Sequence, residues 1–435
     1  MSSGSILYSE WSQHCPNKRL SPEFCHEGGK LEITSGMNGY LFGYCETPVE
    51  ALPGAYYCLE VEMSVEGIAD VLRHVLCLVE WGQGREEHLR CAQEIMSEFT
   101  VQDETIHGRL VCRVPHDALY AKVQLGLRYA ANSKIVFSRV TWNQVSPQKP
   151  RSAKIGVCRW NPAKSGGKVA YLTQLARLLK GAGEAGCDLM LLPEFCDVYE
   201  WKENLLFDDP LTENIAVCMA MTHAQKHQMY VVAPVIERDG DCVYNTSVLL
   251  DRDGKLAGKY RKTHLYWPEA CCWGLTPGNE FPVFTLDFGK IGIQTCYDNW
   301  NPDVAKLLAL KGAELILMPN EGYDPLIMPA RAVDNRVYLA LSSLAFESAV
   351  YDAKGEKIGK DEGAIHTAVI DLNARIPPYP VAGGSCNYAM GARRSVHNSL
   401  SDQVYRELQS EVNRWQGVNE SFVDMRSDAC GDLSR

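Results

Sequence analysis

In the first third of the chain, apolar and polar residues alternate in short runs. Residues 1–148 contain five such runs, each bounded by turn residues, and no long stretch with helical spacing. Alternation with a period of two predicts strands with one buried face, and several in series predict an antiparallel β-sandwich. The predicted strands are residues 56–65, 73–81, 108–115, 121–129 and 134–145. The polar segment 146–152, which carries two prolines, predicts a linker.

After residue 152 the pattern changes to continuous apolar strands that alternate with helices, which is typical of a layered α/β protein. Lys168 to Glu184 has helical spacing, and Gly186 is its stop signal. The face predicted to be buried consists of Val169, Leu172, Leu175, Ala176 and Leu179. A second helix is predicted at 304–312. The predicted strands are 153–157, 188–194, 229–237, 244–251, 290–296, 313–319, 336–344 and 366–372.

Composition narrows the class of protein further. The chain has 435 residues and a net charge of −11, without the basic stripe that nucleic-acid binding needs. It lacks a secretory signal pattern, and no apolar run approaches the roughly 18 residues of a membrane-spanning helix. We therefore expect a soluble, cytoplasmic protein with no nucleic-acid or membrane partner. Its 17 cysteines, an odd number in a long chain, predict reduced thiols.

The sequence predicts neither a metal site nor a cofactor. His264, Cys271 and Cys272 are close together, but no C-x2-C pair has the spacing of a zinc site. The chain also lacks a GxGxxG fingerprint and a P-loop lysine, so we expect no dinucleotide or nucleoside triphosphate.

Three segments of the α/β region end in residues with reactive side chains. The segment DLMLLP is followed by Glu194, VLLDRDGKLAGKYR by Lys262, and KIGIQT by Cys296. Because ligands of open α/β sheets lie beyond strand ends, the three side chains form a candidate site. A thiol needs a base or a cation to attack as a thiolate. Together they suit acyl transfer to water, with release of an amine or ammonia.

Each residue alone also has an ordinary interpretation. A cysteine at a strand end is commonly core packing, Glu194 suits the start of a helix, and Lys262 lies in a basic run. Asp298 and Asn299 are interpreted mainly as caps of the helix after Cys296. His264 is interpreted as a core histidine, with an indirect supporting role at the site as the alternative. A candidate aromatic wall consists of Tyr199, Trp201, Tyr266, Trp267 and Trp273.

Residues 153–375 resemble the carbon–nitrogen hydrolase (nitrilase) superfamily. Four blocks carry the resemblance, in the order and at the spacing of that superfamily: LLPEF (191–195), YRKTHL (260–265), TPGNEFPVF (276–284) with IGIQTCYDNWNPD (291–303), and GAELILMPN (312–320) with RAVDN (331–335). The separations are 262 − 194 = 68 and 296 − 262 = 34 residues. Tyr244-Asn245-Thr246 also resembles a strand of the superfamily before the lysine loop.

The resemblance implies a fold and a set of catalytic residues. The fold is α/β, an αββα sandwich of the nitrilase type, over residues 149–375. Glu194 is the implied base and acid, Lys262 supports the oxyanion, and Cys296 is the nucleophile. The backbone N–H of Tyr297 is a second candidate oxyanion donor. A second glutamate that positions the substrate is also implied: Glu269 fits best, seven residues after the lysine (269 − 262 = 7), and Glu280 is the rival.

The flanking regions lead to separate expectations. Residues 1–148 are expected to be an all-β, jelly-roll-like accessory domain, since 114–142 resembles the last strands of carbohydrate-binding-like modules. Trp81 and Trp142 are the candidate platform for stacking on a sugar, and core packing is the alternative. Residues 376–435 are expected to be a C-terminal extension with a helix at 401–415 and a mobile tail. Members of the superfamily commonly form homo-oligomers, which implies a dimer or larger assembly.

The function implied is hydrolysis of a linear amide or an N-carbamoyl compound, through a thioester on the cysteine. Tyr297-Asp298 after Cys296 resembles amide-cleaving members. A nitrilase that acts through a thioimidate is the first alternative, and transfer to an alcohol or amine also stays open. A non-catalytic glycan-binding or scaffold protein is the alternative from another class. Arg331 and Arg336 are candidates by position for contact with an acidic substrate, and neither is assigned to the site.

Overall fold

The computed structural model describes residues 4–82, 91–96, 99–116, 118–147, 149–199, 210–322 and 324–374. Contacts divide these residues between two compact units, which meet in the chain at Gln148 and Lys149. A domain boundary at this point stays our proposal. The extension 376–435, with the helix expected at 401–415, lies outside the described residues.

The first unit is built of antiparallel strands and one short helix, α1. Their bounds are β1 Ser12–His14, β2 Glu23–Glu27, β3 Lys30–Thr34, β4 Phe42–Val49, β5 Tyr56–Glu66, α1 Val71–His74, β6 Val75–Gly82, β7 Cys91–Ile95, β8 Phe99–Gln102, β9 Thr105–Arg113, β10 Tyr120–Arg128 and β11 Lys134–Val145. One sheet has the order β1-β4-β10-β6-β7, and the other has the order β2-β3-β11-β5-β9-β8. Alternate residues of both sheets meet in one apolar core, so the expected all-β sandwich is confirmed.

The five predicted strands of this unit overlap β5, β6, β9, β10 and β11. The prediction at 73–81 begins too early, because His74 still belongs to α1, whose N-terminus is capped by Asp70. The strands β1 to β4, β7 and β8 had no prediction. Most of these are only three to five residues long, too short to show a clear alternation.

Trp81 and Trp142 lie in the core of the sandwich, with 0% and 9% of their surface exposed. The indole N–H of Trp81 donates to Glu94 Oε1 at 3.2 Å, and that of Trp142 donates to the carbonyl of Glu50 at 2.9 Å. A buried ring cannot stack on a glycan at the surface. The platform hypothesis is therefore wrong for these two side chains, and the core-packing alternative is confirmed.

The described residues of the second unit form two further sheets and five α-helices. The strands are β12 Ser152–Val157, β13 Leu189–Leu191, β14 Tyr230–Asp239, β15 Cys242–Leu250, β16 Leu256–Arg261, β17 Val283–Thr285, β18 Lys290–Ile293, β19 Leu315–Asn320, β20 Tyr338–Ser343, β21 Ala349–Tyr351, β22 Lys357–Ile358, β23 Lys360–Glu362 and β24 Ile365–Asp371. The helices are α2 Lys168–Glu184, α3 Ile215–His227, α4 Trp267–Cys271, α5 Pro302–Leu310 and α6 Ile327–Asn335.

These elements form four layers. One sheet has the order β16-β15-β14-β13-β12-β24-β23, and the other has the order β17-β18-β19-β20-β21-β22. The two sheets face each other through β12 and β13 on one side and β19 and β20 on the other. Helices α2 and α3 cover the outer face of the first sheet, while α5 and α6 cover that of the second. The expected αββα sandwich is confirmed.

Helix α2 shows where periodicity alone misleads. Its bounds agree with the prediction, and Gly186 follows it with a φ of +70°, a conformation that favours glycine. The buried face is Tyr171, Leu175, Leu178, Leu179 and Ala182. Val169, predicted to be buried, is 80% exposed. The buried face of the helix is therefore displaced from the predicted face and includes Tyr171, whose ring stacks on Trp160 at a centroid distance of 5.6 Å.

Two strands end earlier than predicted, and this places the reactive residues on loops. Strand β13 ends at Leu191, three residues before Glu194, and β18 ends at Ile293, three residues before Cys296. The central parallel strands β12 to β14 and β18 to β20 end on loops at the same edge of their sheets. Within the described part of the chain, no helix combines the length and apolar character needed to cross a bilayer.

Candidate active site

Glu194 lies in a buried turn that follows β13. It is 1% exposed, and Phe195 behind it has a φ of +53°, which turns the chain sharply. A backbone hydrogen bond connects the turn to β14, because the N–H of Cys196 donates to the carbonyl of Pro234 at 2.8 Å. Asp197 also fixes it, since Oδ2 accepts from the N–H of Ile236 at 3.2 Å. These hydrogen bonds fix the backbone of the turn and thereby limit the positions that the Glu194 carboxylate can take.

Lys262 follows β16 directly and is 1% exposed. Its Nζ donates to Glu194 Oε1 at 2.9 Å and to Glu269 Oε2 at 2.6 Å. The backbone of the lysine is fixed as well, because its N–H donates to the carbonyl of Asn245 at 2.9 Å. A buried ammonium is stable only when charges of opposite sign surround it, and here two carboxylates do so.

Of the two rival glutamates, Glu269 contacts the lysine. It lies in α4, is 2% exposed, and also accepts the N–H of Tyr266 at 2.7 Å, which caps that helix. Glu280 is exposed and forms no bond with Lys262. The position of the two side chains therefore favours Glu269 as the second glutamate.

Asn245 is a member of this site to which the sequence analysis assigned no role. It lies in β15, is 1% exposed, and its Nδ2 donates to Glu194 Oε1 and to Glu269 Oε1, both at 2.8 Å. Together with Lys262 it joins the two carboxylates into one unit, which we call the carboxylate–lysine cluster. The sequence signal that could have identified Asn245 was the segment Tyr244-Asn245-Thr246, which resembles a strand of the superfamily. That resemblance does not show which groups the amide of Asn245 contacts.

Cys296 opens a short 3-10 helix, Cys296–Trp300, with a φ of +45°. A positive φ is uncommon for a residue with a side chain, and such strain is found frequently at active sites. The backbone N–H groups of Glu321 and Gly322, which follow β19, lie near the thiol and lower its pKa. Both Glu194 and Lys262 act on it electrostatically. The structure thus brings the three predicted residues together.

The protonation states follow from burial. Burial and the Glu194 charge raise the pKa of Cys296 to about 12, although Lys262 and two backbone N–H groups lower it. Burial also raises the pKa of Glu194 to about 7, against the opposing effect of Lys262. Burial alone would lower the pKa of Lys262, but the charges around it keep that pKa above its ordinary value. Near neutral pH the resting cysteine is therefore a thiol beside a strong candidate base.

Tyr297 follows the cysteine in the 3-10 helix, so its N–H belongs to the first turn. Its side chain is exposed and lies against Tyr266 with ring centroids 5.7 Å apart. Of the other expected wall residues, Trp267 is 72% exposed and Trp273 packs edge-on against Phe195. Tyr199 instead stacks on Tyr171 of α2, and Trp201 lies outside the described residues.

Asp298 has a larger role than the predicted cap. It is fully buried, and Oδ2 accepts the N–H of Thr295 at 2.8 Å, which confirms the capping interpretation. The same carboxylate accepts the hydroxyl of Tyr260 at 2.6 Å and the N–H of His264 at 2.9 Å. The hydrogen bond to Asp298 raises the pKa of His264, even though that ring is partly desolvated. Asp298 therefore ties the cysteine turn to the lysine loop.

Arg331 and Arg336 lie at α6, and the first has a structural contact. Its Nε donates to the backbone carbonyl of Asn299 at 3.1 Å, so it supports the segment after the cysteine. Arg336 is 9% exposed and caps α6 in the left-handed conformation, with a φ of +55°. These placements agree with leaving both arginines out of the site.

A model of the carbon-nitrogen hydrolase family matches residues 154–376. That segment is half of the chain, and it contains the carboxylate–lysine cluster and Cys296. The chain belongs to the carbon-nitrogen hydrolase family. The predicted resemblance to this superfamily is confirmed.

Relatives of this chain have different names. A nitrilase of Pyrococcus abyssi is 37% identical over 170 residues, which are 37% of this chain and 64% of that protein. A citrullinase of Francisella tularensis is 32% identical over 169 residues, 35% and 57% of the two chains. The match thus spans less than two thirds of these two relatives. The omega-amidase NIT3 of Saccharomyces cerevisiae is 31% identical over 218 residues, 45% of this chain and 75% of that one.

Solved structures of other family members are also similar to this chain. The crystal structure of Nit3 of Saccharomyces cerevisiae has 25% identity and a TM-score of 0.45, covering 58% of this chain and 96% of that one. An amidase from Nesterenkonia sp. has 23% identity and a TM-score of 0.45, covering 52% and 92%.

Proposed function

We propose that this protein hydrolyses the C–N bond of a linear amide or an N-carbamoyl compound through a thioester on Cys296. The observation that carries the proposal is the carboxylate–lysine cluster beside that thiol. Lys262, buried with Nζ 2.9 Å from Glu194 and 2.6 Å from Glu269, supplies a fixed positive charge next to the nucleophile. Such preorganised charge stabilises a developing oxyanion without further reorganisation.

In the first half-reaction, the sulfur of Cys296 attacks the carbonyl carbon while Glu194 accepts the thiol proton. A base with a pKa of about 7 is well matched to this transfer near neutral pH. The oxyanion of the tetrahedral intermediate is stabilised by Lys262 and by the N–H of Tyr297. The C–N bond then breaks, Glu194 returns its proton to nitrogen, and ammonia or an amine leaves a thioester behind.

In the second half-reaction, water attacks the thioester carbonyl. Glu194, again a carboxylate, accepts a proton from the water, and the C–S bond breaks with return of that proton to sulfur. Glu269 keeps Lys262 oriented through both steps. For a primary amide the balance is R–CO–NH2 + H2O → R–COO⁻ + NH4⁺, so the enzyme needs neither an oxidant nor a cofactor.

A nitrilase is the second candidate, favoured by the name of the Pyrococcus relative. The same thiol would add to the nitrile carbon to form a thioimidate, and two waters would give acid and ammonia. A non-catalytic scaffold is disfavoured by the buried charges. A buried ion pair is frequently no more stable than an apolar replacement, so a protein without the reaction gains little by keeping one.

The test is ammonia release from the purified full chain. The panel contains short aliphatic amides, ω-amides of dicarboxylates, N-carbamoyl amino acids and nitriles, with Cys296→Ala as the control. We expect release from at least one amide or N-carbamoyl compound and none from the variant. Release from nitriles alone would favour the nitrilase. Equal release by Cys296→Ala would contradict the role of the cysteine.

A homo-oligomer of two or more copies, a cytoplasmic location and glycan contact through the first 148 residues stay predictions. Size-exclusion chromatography with light scattering tests the first of these.

A further inference from the structure

Glu321 stands beside the nucleophile but takes no part in the steps above. Strands β18 and β19 are parallel neighbours, with Ile293 opposite Leu317, so the loops that follow them leave the sheet at one edge. Cys296 lies on the first loop, and Glu321 begins the second. The backbone N–H of Glu321 lies near enough to the sulfur of Cys296 to lower the pKa of that thiol.

The carboxyl group of Glu321 is accessible, unlike those of the cluster. Glu194 and Glu269 are 1% and 2% exposed, whereas Glu321 is exposed at the surface. Among the described residues, no side chain forms a hydrogen bond or an ion pair with its carboxylate. It nevertheless responds to the cluster, since partial burial and Glu269 raise its pKa while Lys262 lowers it. Glu321 therefore lies at the mouth of the site, within electrostatic reach of its interior.

In the part of the site that the structure describes, the cluster and Glu321 together hold three carboxyl groups and one ammonium. Lys262 is already bonded to Glu194 and Glu269, so its charge is neutralised within the cluster. Glu321 adds a further carboxylate that has no cation of its own among the described residues. A cleft with an excess of one sign concentrates ligands of the opposite sign and repels those of the same sign.

We propose that Glu321 selects for substrates that carry a cation, so that the preferred substrate is a linear amide or N-carbamoyl compound with an ammonium group. This inference rests on the proposed function of the site. An acidic substrate, such as the monoamide of a dicarboxylic acid, would place a second carboxylate near Glu321 and bind poorly. The reactive carbonyl stays at Cys296, while the ammonium end of the substrate points toward the Glu321 carboxylate at the mouth.

The first experiment compares three amides of equal length that differ in terminal charge: 4-aminobutanamide, butanamide and succinamate. At low ionic strength we expect kcat/KM to fall in that order for the unmodified protein. In Glu321→Gln the ratio of kcat/KM for the cation to that for the anion should fall about tenfold, since one charge within a few ångströms acts on both substrates with opposite sign. Raising the salt concentration should lower the ratio of the unmodified protein in the same direction.

Glu356→Gln is the matched control, because Glu356 is an exposed glutamate in the turn between β21 and β22. Its ratio should equal that of the unmodified protein. A preference for succinamate, or the same ratio in Glu321→Gln as in the unmodified protein, would overturn the inference.

A second experiment measures how the charge of a reagent affects the rate of Cys296 labelling, with no substrate present. The full chain is treated with trimethylammonium-ethyl or sulfonato-ethyl methanethiosulfonate, and mass spectrometry follows labelling of Cys296 over time. Cys25, an exposed free thiol of the first unit, serves as the internal reference. We expect the cationic reagent to be favoured at Cys296 relative to Cys25, and Glu321→Gln to reduce that preference.

The two experiments separate the two proposals. Absence of ammonia release from every amide and N-carbamoyl compound, with a charge preference in labelling that depends on Glu321, would contradict the proposed function. The effect of the Glu321 charge at the mouth would still stand. Ammonia release without any effect of Glu321 on either ratio would keep the proposed function and contradict the selection of cations.

Discussion

At the residue scale, single side chains decide the chemistry. In the carboxylate–lysine cluster, each charged or polar group changes the pKa of its neighbours. Glu194 is buried, which raises its pKa, while Lys262 and Asn245 lower it again. The result is a carboxyl group that is half ionised near neutral pH. The same burial leaves Cys296 as a thiol, so attack and proton transfer have to occur together.

The pH dependence of the unmodified protein follows from this. Glu194 accepts a proton only as a carboxylate, so kcat/KM should rise with pH through about 7 and level off above it. A rise near pH 4 to 5 would mean that an ordinary, solvated carboxyl group controls the reaction. Glu194→Gln should lower kcat/KM by about 10²-fold or more and abolish this rise, as the loss of a general base does.

Asn245→Ala should move the same pH profile. The amide of Asn245 lowers the pKa of Glu194 by donating to it, so its removal raises that pKa and shifts the rise of kcat/KM to higher pH. Thr246→Val is the matched control: Thr246 is the next residue in β15 and donates to Glu237, outside the cluster. A profile that does not move would show that Asn245 only fills space.

The two rival glutamates can be separated by paired substitutions. Glu269→Gln removes one of the two negative charges that hold Lys262, so we expect kcat/KM to fall about 10²-fold, within the range of a lost charge-assisted contact. Glu280→Gln should stay within about twofold of the unmodified protein, because an exposed carboxylate contributes little. Steady-state kinetics on one amide measures both, and the reverse order would assign the role to Glu280.

At the scale of elements, the site depends on the hydrogen bonds that connect three loops to neighbouring strands and to one another. The glutamate turn is held by β14, the lysine loop by β15, and the cysteine turn by β19. Asp298 connects the second of these loops to the third. The contact is built from buried hydrogen bonds to a full negative charge, which are stronger than bonds between neutral groups.

Asp298→Asn tests this connection. An amide has one acceptor oxygen in place of two, so donors among Thr295, Tyr260 and His264 lose their partner, at a cost of about 1–3 kcal/mol each. We expect a lower free energy of unfolding and a lower kcat. The pKa of His264 should fall as well, because its hydrogen bond to Asp298 is what raises it.

NMR titration of the histidine ring measures that last effect, and denaturant unfolding measures the first. Asp303→Asn is the control for unfolding and kcat, since this exposed carboxylate, 4.0 Å from His264 Nε2, lies outside the connection. It should lower the pKa of His264 less than Asp298→Asn does, because Asp303 contributes only a weaker charge effect. A variant of Asp298 with the ordinary kcat would mean that the two loops are positioned independently.

At the scale of the whole molecule, the described residues form one apolar core in the first unit and several in the second. The core of the sandwich lies between its two sheets, while the cores of the second unit lie between the sheets and helices of the αββα layers. Each unit therefore has apolar packing of its own. All residues of the candidate site belong to the second unit.

Trp81→Ala should therefore lower the stability of the protein and leave its kcat/KM nearly unchanged. The indole is fully buried in the sandwich, and truncation of such a side chain costs about 3–5 kcal/mol. We expect a calorimetric transition to move to lower temperature, while kcat/KM at a temperature below that transition changes little. Val101→Ala, at a side chain that is 71% exposed in the same unit, is the control and should leave the transition in place.

Much of this protein could be predicted from local pattern, because an alternating run or a glycine stop is a property of neighbouring residues. The two fold classes, helix α2 and its end at Gly186, and the candidates Glu194, Lys262 and Cys296 were all available in this way. Local pattern was less reliable where neighbours from elsewhere in the chain decide: the face of α2 turned toward Tyr171, and Trp81 and Trp142 moved from surface candidates to core.

The sequence by itself thus determined the family, the layers and the reactive side chains, since these follow from residue types and their spacing. Only the tertiary structure decided how these groups act on one another. It placed Asn245 between two carboxylates, made Glu269 and not Glu280 the contact of Lys262, and brought the backbone N–H of Glu321 near the nucleophile. The physical reason is that hydrogen bonds, burial and electrostatic effects depend on distance in space, and these residues meet only when separate loops converge at one edge of the sheets.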